Sequence, residues 1–88
     1  MPSSLHCEKY RIFRTMLVQA RLASGLTQTE IAEKLAKPQS YVSKYERGER
    51  RLDFAEFIEL AEIMNIDVSL FIETYRVSLK QESSFPPF

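Results

Sequence analysis

The stretch Gln28–Arg47, QTEIAEKLAKPQSYVSKYER, decides the fold. Thr27 and Glu30 have the spacing of a capping box, in which the Thr27 hydroxyl and the Glu30 carboxylate each satisfy an otherwise orphan backbone N–H, so a helix starts there. Ile31, Ala32 and Leu35 face inward from it. Lys37-Pro38 interrupts this helix after about two turns, because the residue before a proline is pushed away from helical dihedrals. Pro38 then opens the next helix as a first-turn residue, where its missing N–H costs nothing. Val42 and Tyr45 give that helix its inward stripe, and Gly48 ends it. Two short helices joined by so tight a turn must cross closely. The first needs a small residue under the crossing and the second an apolar one to lock against it, roles that fit Ala32 and Val42. Ala36 lies in the turn, where glycine is commoner because a left-handed backbone is often required.

Outward from this pair, Tyr10, Phe13, Leu17 and Ala20 recur at three- and four-residue steps and predict a helix from about His6 to Ser24, with Gly25 as its left-handed cap. Asp53 with Glu56 starts a fourth helix carrying Phe57, Leu60, Ala61 and Met64, and Asn65 supplies a left-handed stop. Asp67 caps a fifth. Its residues Val68, Leu70, Phe71, Ile72 and Tyr75 are apolar over more of the circumference than one buried stripe needs, which points to a partner. The 88 residues fit one all-α domain. We expect a loose N-terminus over residues 1–5, the domain over 6–78 and an irregular tail over 79–88. The tail is polar and then proline-broken, and its residues Phe85 and Phe88 have no evident role.

Cys7 is the single cysteine, so neither an intrachain disulfide nor a zinc cluster can be built from this chain. No apolar run approaches a membrane span and no signal-peptide pattern opens the chain, so a cytoplasmic location is expected. Net charge is zero, yet it is unevenly distributed. Residues 34–51 carry +4, from Lys34, Lys37, Lys44, Arg47, Arg50 and Arg51 against Glu46 and Glu49, whereas residues 52–73 carry −6. One side of the domain can therefore face phosphate while another stays in water. His6 beside Cys7 does not define a nucleophile with an oriented base. Glu56, Glu59, Glu62 and Glu73 have the spacing of a solvated helix surface, with no histidine to complete a metal site. No enzyme, cofactor or metal centre is expected.

With its parts in register, GLTQTEIAEKLAKPQSYVSKYERGERRLDFAEFIELAEIMNI (Gly25–Ile66) closely resembles the Cro and phage-repressor helix-turn-helix family, often labelled Xre. The likeness covers roughly residues 10–73 and rests on Arg21, Gly25-Leu26-Thr27-Gln28, Ile31-Ala32 and Ser43-Lys44-Tyr45-Glu46-Arg47-Gly48. Ala36 departs from the usual glycine and Pro38 from the usual serine or threonine cap. The resemblance implies a compact five-helix, lambda-repressor-like DNA-binding domain from a bacterium or phage, associated with the nucleoid. Helix 38–47 would then lie in the major groove of double-stranded DNA. Gln39, Ser40, Tyr41 and Lys44 would read bases; glutamine suits adenine, and Tyr41 either meets a thymine methyl or packs at the domain edge. Gln28 at a helix start, with Arg47, Arg50 and Arg51, would hold phosphates. Arg21 and Glu46 match a structural ion pair, and Arg21 is divided between that pair and a phosphate. A transcriptional repressor acting as a homodimer is the expectation, with Leu70, Ile72 and Tyr75 as the pairing surface. The alternative is a protein-interaction module, such as an antitoxin or accessory subunit.

Overall fold

The computed structural model describes residues 4–83, which form α1 (Ser4–Ser24), α2 (Gln28–Leu35), α3 (Gln39–Arg47), α4 (Phe54–Ile63) and α5 (Val68–Ser83), with no strand among them. Local chemistry accounts for most of the helix ends. At α2 the Thr27 hydroxyl accepts from the Glu30 N–H at 3.0 Å and the Glu30 carboxylate accepts from the Thr27 N–H at 2.8 Å. Asp53 and Glu56 make the same reciprocal pair at α4, at 2.8 and 2.9 Å. The Asp67 carboxylate accepts from the Leu70 N–H at 3.1 Å at the start of α5. Gly25, Gly48 and Asn65 all adopt positive φ at the expected stops.

Three boundaries differ from expectation. Pro38 is the N-cap of α3 and not its first helical residue: with φ −69° and ψ 154° it is extended, and it offers no side-chain acceptor to the helix start. At the other end of the chain, residues Leu79–Ser83 continue α5 instead of joining an irregular tail. Lysine, glutamine and glutamate are good helix formers, and a proline disfavours helix at itself and at the residue before it, not several residues upstream. Ser4 and Leu5 likewise belong to α1. The expectations for residues 1–3 and 84–88 fall outside the described residues.

The turn between α2 and α3 is made by Ala36 at φ 58°, ψ 43°. Its N–H and that of Lys37 return to the carbonyls of Glu33 and Ala32, at 3.1 and 3.0 Å, and so close the end of α2. The crossing beyond it is tight. Ala32 is 2% exposed and Val42 fully buried, joined in one core by Leu17, Ile31, Tyr45 and Leu60. Phe13 of α1 meets Phe57 of α4 and Phe71 of α5 edge-on, with ring centres 5.5 and 6.0 Å apart, which fastens the three outer helices to one another. The Tyr45 hydroxyl is buried without a hydrogen-bond partner, and burial raises the pKa of its phenol.

An alanine in the left-handed region costs about 1–2 kcal/mol, against roughly 0.5–1 kcal/mol of extra chain entropy for glycine. Ala36→Gly should therefore raise the urea-unfolding free energy by about 0.5–1 kcal/mol. Tyr45→Phe should cost nothing or raise Tm, because the lost hydroxyl makes no bond that compensates its desolvation.

Candidate nucleic-acid interface

The inner face of α3 is used up by the core. Tyr41, Val42 and Tyr45 are buried, which turns Gln39, Ser40, Lys44 and Arg47 outward. Glu46, between these faces, is the hub of a network drawn from three helices. Its carboxylate accepts from Arg21 Nε at 2.7 Å and Nη2 at 3.2 Å, and from the Gln28 amide at 2.8 Å. Its carbonyl accepts from Arg14 Nη1 at 3.0 Å. The hydrogen bond to Glu46 raises the Arg21 pKa further, against the desolvation that opposes it. The Gln28 carbonyl oxygen in turn accepts from the Gln39 amide at 2.8 Å. Gln39, the first residue of the outward row, is thus tied back to the ion pair through Gln28.

A basic flank follows α3. The Arg50 guanidinium grips both Glu56 oxygens at 3.2 and 2.9 Å and lies over the Tyr41 ring, 4.6 Å from its centre. Lys37 Nζ stands 5.2 Å from the centre of that ring. Arg51 covers Tyr10 at 4.7 Å, while the Tyr10 hydroxyl donates to the Arg50 carbonyl and accepts from the Leu52 N–H at 3.1 Å. Arg47 makes a two-bond pair with Glu49 at 3.0 Å, and both side chains are more than half exposed. Arg50, helped by the Asp53 backbone, holds the Glu56 carboxyl down at about 2, and Arg47 lowers that of Glu49.

Two of the expected site residues need correction. Tyr41 is only 9% exposed, its ring edge-on to Tyr45, so it cannot reach a thymine; it supplies the surface on which Arg50 rests. Arg21 spends its guanidinium on Glu46 and on the Leu26 carbonyl at 3.2 Å and is not available to a phosphate. The Gln28 amide is likewise engaged by Glu46 and Gln39. Gln39, Ser40, Lys44, Arg47 and Arg51 stand exposed and Arg50 half-buried, while Leu70 and Ile72 on α5 are 63% and 46% exposed, with Tyr75 half-buried beside them. Arg14 was not anticipated. It shares a face with Tyr10, Leu17 and Arg21 at helical spacing, which is the signal that identifies it. It also passes so close to Gly48 that a Cβ there would lie 2.8 Å from its Nε, a second reason for glycine beyond the positive φ of 82°.

Two short helices crossing at Ala32 and Val42 through a left-handed turn, the second with a polar outer row beside a basic flank, define a helix-turn-helix domain. A helix-turn-helix family model matches residues 17–71. Among solved structures, an XRE-family like protein from Pseudomonas syringae pv. tomato str. DC3000 is similar, with 35% identity and a TM-score of 0.80 over 88% of this chain and 94% of that one. No curated protein matches. The chain belongs to the XRE family and is a helix-turn-helix DNA-binding regulator. Among the described residues, no helix is long and apolar enough to cross a membrane, and no group of three or more acidic, histidine or cysteine side chains could hold a metal ion.

Removing one partner of a largely buried ion pair costs about 3 kcal/mol or more, because the other charge is left unpaired. Glu46→Ala should lower unfolding stability on that scale, far more than Glu49→Ala. Glu56 titrates in the folded chain at about 2, below the 4.5 of an ordinary glutamate, so its stabilising effect is complete above 4.5 and lost as pH falls toward 2. Denaturant titrations of Glu56→Gln should show a shallower loss of stability across that interval than the parent.

Proposed function

We propose that the protein is a sequence-specific transcriptional repressor that binds double-stranded DNA as a homodimer, α3 lying in the major groove. The observation that carries this reading is the Gln28–Gln39 hydrogen bond. It fixes Gln39 at the leading end of α3 with its carbonyl oxygen and second amide hydrogen free, the donor–acceptor pair that matches the major-groove edge of adenine. Ser40 and Lys44 extend the row along the same exposed side. Arg47, Arg50 and Arg51 meet phosphates on the flank, and the uncovered backbone donors at the start of α2 meet another. Pairing through the α5 surface of Leu70, Ile72 and Tyr75 would set two recognition helices roughly 34 Å apart, one turn of DNA. A bound dimer occludes a promoter, a role exercised in the cytoplasm.

Selection from random duplexes should yield a two-fold-related site, and affinity should fall steeply with salt as counterions return to the phosphates. On that site Gln39→Ala should cost about 1–3 kcal/mol and relax preference at one base pair per half-site. Arg47→Ala should weaken all sequences alike. Glu49→Gln, which frees Arg47 from its present partner, should strengthen binding to every duplex. An equal loss on every sequence for Gln39→Ala would remove that residue from base readout.

A further inference from the structure

Hydrogen bonds have a direction, and the row of side chains from Arg21 through Glu46 and Gln28 to Gln39 has only one direction open to it. A guanidinium is a donor with no acceptor, and Arg21 spends Nε and Nη2 on the two oxygens of Glu46, at 2.7 and 3.2 Å. Both oxygens must therefore accept. Gln28 meets one of them, Oε1, at 2.8 Å, and can do so only by donating from Nε2, because its own oxygen there would set two acceptors face to face. With its nitrogen so placed, Gln28 turns Oε1 toward Gln39, and that oxygen accepts from Gln39 Nε2 at 2.8 Å. The side chain of Glu46 is 7% exposed and Gln28 is half-buried, so water competes little for the acceptors that set this order.

Gln39 itself is exposed, and the terminal amide of a lone exposed glutamine turns over readily, its two ends being nearly the same shape. Which end faces the groove matters for readout. Adenine and guanine share the N7 acceptor on their major-groove edge and differ beside it, where adenine carries an amine and guanine a carbonyl oxygen. With its oxygen outward, Gln39 accepts from the adenine amine; with its nitrogen outward, it donates to the guanine oxygen. We infer that Glu46 is a specificity-determining residue that never touches DNA: through Gln28 it fixes which end of the Gln39 amide meets the base, and so selects adenine over guanine.

This assignment rests on Gln39 as the base reader proposed above and adds the origin of its preference. It also separates two roles of Glu46 that the ion pair alone would merge. As a partner of Arg21 the carboxylate holds helices together, and an apolar pair of similar volume can replace a buried ion pair at little cost in stability. As an acceptor for Gln28 it has no apolar substitute, because a hydrocarbon gives the amide no reason to choose either end. Stability and base preference are therefore expected to respond differently to changes in the same pair.

The test is competition binding at fixed salt between two duplexes that carry the selected site and differ only in adenine against guanine at the Gln39 position. The parent should prefer adenine by about tenfold. Gln28→Met keeps the volume and the Arg21–Glu46 pair but breaks the relay, and its preference should fall to within about twofold of parity. The double variant R21M/E46L should lose preference to the same extent while its urea midpoint stays near the parent's. Arg21→Lys should do the reverse, losing stability with the planar fork yet keeping the adenine preference, because the carboxylate that orients Gln28 remains. Adenine preference retained by R21M/E46L, or lost equally in Arg21→Lys, would overturn the role of Glu46, and Gln28→Met decides on the relay if the double variant does not fold: preference retained there overturns it. In each case the reading of Gln39 stands so long as Gln39→Ala abolishes the preference. A parent that ranks guanine first, or a Gln39→Ala variant that still prefers adenine, would remove the base reading and the relay together.

Discussion

The Glu46 carboxylate is the constraint on which the recognition surface depends. It accepts from Arg21 of α1 and Gln28 of α2 while standing on α3, so it fixes the mutual placement of all three helices at one point. Side-chain exposure of 14% for Arg21 and 7% for Glu46 places this pair where desolvation is costly. Such a pair adds little net stability over an apolar contact of the same shape, yet breaking one half of it is severe. Its role is therefore one of geometry. The Val42–Ala32 crossing supplies attraction between α2 and α3, but apolar contact is non-directional and tolerates small slides. A fork of hydrogen bonds does not, and through Gln28 the same fork orients Gln39.

The turn between these helices carries a cost that the network helps to sustain. Ala36 sits in left-handed backbone that glycine enters freely, and Pro38 gives α3 no side-chain cap. Both are locally unfavourable choices at the most constrained place in the fold. They persist because the burial of Ile31, Val42 and Tyr45 and the Glu46 fork hold the two helices in register regardless. Pro38 adds a compensation of its own, since its fixed φ reduces the freedom of the unfolded chain at the point where α3 begins.

What was legible in the sequence was what depends on neighbours along the chain. The capping boxes at Thr27–Glu30 and Asp53–Glu56, the stops at Gly25, Gly48 and Asn65, and the apolar stripes all follow from spacings of three or four residues. The Arg21–Glu46 pair came through family likeness. The parts that were not legible join distant positions: Arg14 to the Glu46 carbonyl, 32 residues away, and Tyr10 to the backbone at Leu52, 42 away. Tyr41 lies between these cases. Its spacing from Val42 and Tyr45 already puts it on the buried stripe, and only its nearness to the start of α3 suggested the groove. Its ring found another use, as the platform for Arg50.

How a chain with no net charge holds a polyanion follows from the strength of its internal pairs. Arg47 and Glu49 are both more than half exposed, and surface pairs of this kind contribute about 0–1 kcal/mol. In the proposed complex a phosphate would displace Glu49 at that small cost and gain a charge-assisted bond in its place. Arg50 is different. Bidentate on Glu56 and stacked on Tyr41, it is already ordered, so a phosphate need not freeze its side chain. Glu56 is bonded to the Asp53 backbone as part of the α4 cap, so the acid that orders Arg50 cannot swing away without opening that helix. The carboxylates near α3 therefore do not simply cancel its positive charge. Glu49 restrains an arginine that the proposed DNA complex would release, Glu56 keeps another in place, and Glu46 faces inward and shapes the scaffold.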